Sequence, residues 1–187
     1  MRARPLPVLV LLALAGATGC GSDGDKPTKT VAATTQVVRG FQFRSVMPAG
    51  WTDVSDQIAG SSSQDLPYDL ALGDRTAPGF KPSLVVARKR GGAIGSSTLQ
   101  EIEATIRKTD PPAKGQSVDD AKPLQLGRVE ALQSTIRGKQ DGKALETRRI
   151  IAKHGGTLYT ISFTSAVGDA RADAALARLL SGWRWTS

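Results

Sequence analysis

Hydrophobic positions fall into three regimes along this chain. Residues 5–15 are almost continuously apolar. Residues 21–35 are mainly small or polar. From Phe41 onward, apolar residues recur at strand or helix spacing. Alternation marks a strand with one face on a core, and recurrence every three or four residues marks one face of a helix. The third regime is therefore where a folded domain is expected.

Residues 41–47 read as a strand with Phe41 and Phe43 on one face. Pro48-Ala49-Gly50 ends it, and Trp51 follows. Residues 69–72 form a shorter strand. Residues 83–90 carry the apolar run Leu84-Val85-Val86-Ala87 before three basic residues, and Gly91-Gly92 breaks it. Leu99, Ile102 and Ile106 share a face, predicting a helix over residues 97–108. Ser97 with Gln100, and Thr98 with Glu101, offer two overlapping capping boxes. Lys108 suits the last turn, and Asp110-Pro111-Pro112 forbids continuation.

A meander follows. Residues 123–126 are a brief strand, stopped at Gly127. Residues 131–140 alternate, and Asp141-Gly142 is a strong two-residue hairpin signal into a return strand over 143–153. Gly155-Gly156 makes the next hairpin, into residues 157–165. There Tyr159, Ile161 and Phe163 point one way and Thr160, Ser162 and Thr164 the other. One sheet face is thus expected to be covered and the other to be more polar. Residues 169–182 form a second long helix, with Ala172, Leu176, Leu179, Leu180 and Trp183 on one stripe. The expected class is α+β: an antiparallel sheet with helices packed on it.

The apolar run at the start has a different meaning. Arg2 and Arg4 precede it, and it is too short to span a bilayer comfortably, as suits the hydrophobic part of a signal peptide. Ala17, Thr18 and Gly19 lead into Cys20, the only cysteine in the chain. Ala17-Thr18-Gly19-Cys20 resembles the bacterial lipobox, although Ala17 stands where Leu is usual. Small residues there let the backbone enter a peptidase, and the thiol accepts diacylglycerol. A diacylated cysteine is a sufficient membrane anchor, since two chains bind stably where one does not. Residues 1–19 are therefore expected to be a signal peptide, 20–39 a lipidated, disordered tether, and 40–187 the domain, on the extracytoplasmic face of the cell membrane.

Composition narrows the functional classes. One cysteine excludes an internal disulfide, and one cysteine with one histidine excludes a structural zinc site. The formal charge is +8; residues 1–19 hold two arginines and no acid, so without them it is +6. Such a balance favours anionic neighbours, lipid headgroups or wall polymers. Nucleic acid is not expected as a partner, because the basic residues are not interleaved with aromatics in any known motif.

Catalytic chemistry finds little purchase. His154 precedes Gly155-Gly156 and reads as a turn residue facing water. Ser61-Ser62-Ser63 lacks a nucleophile elbow. Gly91-Gly92-Ala93-Ile94-Gly95 lacks the lysine of a phosphate loop and reads as turn glycines. Asp65, Asp69 and Asp74, and Asp119 with Asp120, lack the spacing of a metal loop. Arg88, Lys89, Arg90, Lys139, Lys143, Arg148, Arg149 and Lys153 read as a solvated sheet face more readily than as an anion patch. Trp183 is expected in the core, while Trp51 and Trp185 could edge a groove. No metal, no cofactor and no catalytic residue are expected.

The order of elements resembles the PsbP-like fold, and within it the actinobacterial LpqN/LpqT-type lipoproteins. The pieces that carry this are the Pro48-Ala49-Gly50-Trp51 turn, the hairpins at Asp141-Gly142 and Gly155-Gly156, and the strand from Tyr159 to Phe163 before the closing helix. The resemblance covers about residues 40–185. It implies one α/β sandwich without intrinsic enzymatic activity, serving as a binding or accessory module of the cell envelope with an envelope protein or anionic polymer as partner. A carrier of a small apolar ligand is the alternative, and an envelope hydrolase a weaker one. Relatives share no ligand, so the resemblance assigns no ligand-binding residue.

Overall fold

The computed structural model describes residues 36–59, 68–91 and 94–187. Cys20, its neighbours Ala17, Thr18 and Gly19, the Ser61-Ser62-Ser63 run and Asp65 lie outside the described residues. Gln36–Ser187 forms one compact unit.

The chain opens with β1 (Val37–Gly40) and β2 (Phe43–Val46), then β3 (Trp51–Asp53) and the short α1 (Ser55–Ala59). Strands β4 (Tyr68–Asp74) and β5 (Ser83–Arg90) precede α2 (Leu99–Thr109). Next come β6 (Ser117–Val118), β7 (Lys122–Leu126), β8 (Val129–Gln140), β9 (Lys143–His154) and β10 (Thr157–Ala166). Helix α3 (Ala170–Gly182) and β11 (Arg184–Trp185) complete the domain. Eight strands form the main sheet in the order β3-β4-β5-β10-β9-β8-β6, with β7 also on β8. A small sheet has the order β1-β2-β11. Pairing is antiparallel throughout.

The hairpins form where turn chemistry allows. Asp141 and Gly142 have φ of 50° and 76°, and Gly155 and Gly156 have 54° and 72°. Positive φ at both central residues is what lets a two-residue turn follow the strand twist. At α2 the structure selects the second capping option. Thr98 Oγ1 accepts from Glu101 N at 3.2 Å, and Glu101 Oε2 accepts from Thr98 N at 2.8 Å. At α3, Asp169 Oδ1 accepts from Arg171 N and Ala172 N.

Two sequence expectations need correction at the start of the domain. Residues 41–47 are not one strand: Phe41 and Gln42 form a turn between β1 and β2, with Gln42 at φ 58°. Residues 37–39, placed in the tether, belong to β1. A turn without Asn or Gly at its left-handed position gives little local signal. Trp51 likewise begins a strand, β3, on the edge of the main sheet.

Both faces of the main sheet carry a core. One face packs against α3 and the small sheet through Phe43, Tyr159, Ile161, Phe163, Leu176, Leu179 and Trp183, all buried. Phe43 stacks on Trp183 with ring centroids 4.2 Å apart. The opposite face was expected to be polar, but Leu132, Ile151 and Leu158 there pack against Leu99 and Ile102 of α2. Alternation along β10 hid this, because Leu158 is followed on that face by Thr160, Ser162 and Thr164.

Candidate functional site

The turn between β1 and β2 is pinned to one end of the main sheet. Tyr159 Oη of β10 lies 2.9 Å from the Phe41 carbonyl and 3.1 Å from Gln42 Oε1, sharing its proton between two acceptors. Asp69 of β4 accepts from Phe41 N at 2.6 Å and pairs with Arg88 of β5 at 3.5 Å. The guanidinium groups of Arg88 and Arg90 stand over the Phe41 ring, 4.3 and 4.2 Å from its centroid. Cation–π contacts at such sites are worth about 0.5–1 kcal/mol each. Burial, and after it the Asp69 carboxylate, raises the Tyr159 phenol above its ordinary pKa of 10.0.

His154 belongs to this same end and not to open solvent. Its ring stacks on Trp185 with centroids 4.6 Å apart, and Nε2 lies 3.4 Å from the Thr186 carbonyl. Trp185 is held in turn by Nε1, which donates to the Leu126 carbonyl at 2.7 Å. The expectation of a turn residue facing water is therefore corrected. The sequence had no sign that β11 returns to lie beside the end of β9. Trp183 is core, as expected, and Trp51 is buried against Phe163 with centroids 5.8 Å apart. Neither edges a groove.

The acidic candidates have structural duties. Asp74 accepts from Thr76 N at 2.8 Å and Ala77 N at 3.1 Å, and its other oxygen pairs with Arg171 at 3.1 Å. Asp119 pairs with Arg137 at 2.6 Å and Asp120 with Arg107 at 3.8 Å. Among the described residues no group of three or more His, Cys, Asp or Glu side chains is placed to hold a metal ion. Gly91, at φ 79°, turns the chain after β5.

The basic candidates are dispersed over two faces. Arg148 points toward α3 and meets Glu146 at 2.6 Å and Asp173 at 2.5 Å. Burial works against its charge, yet these two carboxylates together outweigh burial and strengthen its hold on the proton. Arg149, one residue on, points to the opposite face and meets buried Glu103 of α2 at 3.0 Å. Lys153 donates to the Gly95 and Ser97 carbonyls at 3.2 and 2.8 Å. Lys89, Lys139 and Lys143 are exposed. These residues do not form one anion patch.

A depression of about 330 Å3 opens at the N-terminus of α2. Ser97, Thr98, Leu99 and Gln100 line one side and Val129, Glu130 and Lys153 the other. It is shallow and mixed in polarity, unlike an enclosed apolar ligand cavity. The sheet–α3 interface is instead filled by fully buried rings, those of Trp183, Tyr159, Phe43 and Phe163.

One feature escaped the sequence. Arg39 lies opposite Arg44, and Arg44 opposite Arg184, in the registers of β1, β2 and β11. All three are exposed. Two of them sit in a stretch with no acid between Asp25 and Asp53, a signal that was available in the sequence. Among the described residues no helix is long and apolar enough to cross a membrane.

No protein family and no curated protein matches this chain by sequence. Solved structures do. The solution structure of cyanobacterial PsbP (CyanoP) from Synechocystis sp. PCC 6803 superposes with a TM-score of 0.56 at 13% identity, covering 86% of this chain and 98% of that one. A crystal structure from Bacteroides thetaiotaomicron VPI-5482 gives a TM-score of 0.53 at 13% identity over 78% of this chain, which spans only 46% of that protein's length. LpqN of Mycobacterium tuberculosis, described as involved in cell envelope biogenesis, gives 0.49 at 12% identity, covering 84% and 88%. The likeness to CyanoP, over nearly its whole length, makes the fold of this chain PsbP-like.

Proposed function

We propose that this chain is a lipid-anchored extracytoplasmic protein of the LpqN/LpqT type, acting as a non-enzymatic binding or accessory module of the cell envelope. One observation carries the reading: the lone cysteine, Cys20, stands directly after a short apolar run and three small residues. Diacylglycerol on that thiol is the membrane partner, with an envelope protein or anionic polymer as a second. The surroundings of His154 and of the acidic candidates agree with a module that binds rather than turns over. His154 is stacked on an indole, and Asp69 and Asp74 are engaged with backbone amides and arginines.

The test is metabolic labelling of the full chain with an alkyne fatty acid, followed by membrane fractionation. Wild type is expected to carry label and to sediment with membranes. Cys20→Ser is expected to lose both. Label-free wild type, or membrane retention of Cys20→Ser equal to wild type, overturns the anchor.

A further inference from the structure

The three arginines of the small sheet occupy one row. Arg39 on β1, Arg44 on β2 and Arg184 on β11 are cross-strand partners in succession, and alternate residues on the same strands, Val38, Phe43 and Ser45, are buried. The row therefore lies on the solvent side of the layer. Adjacent strands stand about 4.8 Å apart, so each guanidinium has a like charge as its nearest cross-strand neighbour. Like charges directly opposite one another destabilise a sheet. Arg184 donates to the Ser181 and Trp183 carbonyls, at 3.0 and 2.7 Å, and not to a carboxylate. Among the described residues Arg39 and Arg44 have no ion-pair partner.

The surrounding sequence adds no compensation. Residues 36–47 and 174–187, which supply the small sheet and most of α3, contain Arg39, Arg44, Arg178 and Arg184 and no acid. Two single arginines of the main sheet are matched: Arg137 by Asp119 and Glu146, and Arg148 by Glu146 and Asp173. Three exposed arginines in one row without a carboxylate partner among the described residues fit an anionic surface outside the chain.

The path of the chain says which surface. β1 is the edge strand carrying Arg39, and the residues leading back to Cys20 join it at Val37. Residues 21–36 reach at most about 55 Å even fully extended, at about 3.5 Å per residue. A lipid on Cys20 would thus hold this strand close to the membrane. Lys26 and Lys29 lie on the same acid-free stretch. We infer that Arg39, Arg44 and Arg184 form a docking face for anionic phospholipid headgroups, so that the domain lies against the membrane that anchors it. The choice of lipid as occupant rests on the Cys20 reading; the unmatched arginine row does not.

Sedimentation with vesicles tests this without any lipid on the protein. Residues 21–187 contain the whole compact unit. This chain, with no Cys20, is mixed at low ionic strength with phosphatidylcholine vesicles and with vesicles enriched in phosphatidylglycerol. Binding is expected only to the second kind and is expected to weaken with salt. Each arginine near an anionic surface is worth about five-fold in partitioning, so Arg39→Gln/Arg44→Gln/Arg184→Gln is expected to lose on the order of a hundred-fold. The same three positions changed to Lys keep the charge and are expected to retain binding. Lys114→Gln/Lys139→Gln/Lys143→Gln lowers net charge equally at exposed sites outside the small sheet and is expected to lose far less. Equal loss in the two Gln variants, indifference to phosphatidylglycerol, or tighter binding of soluble polyphosphate than of vesicles at equal phosphate would each overturn the assignment. Failure here leaves the Cys20 labelling result standing, whereas failure of the labelling removes the reason for choosing lipid as occupant and leaves only the measured vesicle binding.

Discussion

The imidazole of His154 lies nearly flat on the indole of Trp185, with the two ring planes inclined by 23°. This contact joins the end of β9 to the last strand of the chain, and it helps explain why a two-residue strand stays in place. Trp185 also meets Tyr159 and Trp183, at centroid distances of 4.9 and 5.5 Å. The only histidine is thus one element of an aromatic cluster that closes one end of the sandwich.

His154→Ala removes one side of this stack. Ring pairs of this kind are worth about 0.5–1.5 kcal/mol beyond their buried area. The variant is expected to unfold at lower denaturant by that amount, with tryptophan emission shifted to the red as the Trp185 face meets water. Unchanged emission and midpoint would show that the stack contributes nothing.

Glu103 and Arg149 are both buried and join α2 to β9. Glu103 Oε1 also accepts from Arg107 Nε at 3.1 Å. Removing one partner of a buried pair strands the other charge, at a cost of about 3–5 kcal/mol. Glu103→Leu is expected to destabilise by this much, and Arg149→Met by less, because Glu103 keeps Arg107. The double variant is expected to lose much less than the sum, since two apolar side chains can extend the Leu132–Ile151–Leu158 core. Denaturant unfolding of all four proteins closes the cycle. Additive losses would show that the pair does not act as a unit.

Tyr159 supplies a pH dependence. Its folded pKa is raised above 10.0, chiefly by burial and secondly by Asp69. The folded state therefore holds the phenolic proton more tightly than the unfolded chain does. The stabilisation is complete below the unfolded pKa and is lost as pH rises through the folded one. Alkaline unfolding is expected to begin above pH 10, and Tyr159→Phe is expected to flatten that part of the stability curve. At neutral pH the same variant is expected to cost about 1 kcal/mol through the lost hydrogen bond to the β1–β2 turn. A Tyr159→Phe curve parallel to wild type above pH 10 would show that another group governs the alkaline limb.

Much of the fold was legible because its signals are local. Asp141-Gly142 and Gly155-Gly156 set two hairpins, Thr98 with Glu101 starts α2, and the stripe from Ala172 to Leu179 sets the buried face of α3. The misses share a different cause. The turn at Phe41 and Gln42 is stabilised by Tyr159 and Asp69, residues far away in sequence. The five residues of α1 are too few to show a period. The core under α2 needs one residue from each of β8, β9 and β10, and no single strand reveals it.

The amino-acid sequence alone determined the apolar run and small residues before Cys20, the α+β class and most element boundaries, because each depends on neighbours within a few residues. Tertiary structure alone decided which charges are matched. Arg148 and Arg149 are adjacent in the chain, yet they meet acids on opposite faces of the sheet. Arg184 is far from Arg39 and Arg44 in the chain, yet three antiparallel strands place all three side by side. Strand register, a long-range property, is what turns separate arginines into a surface.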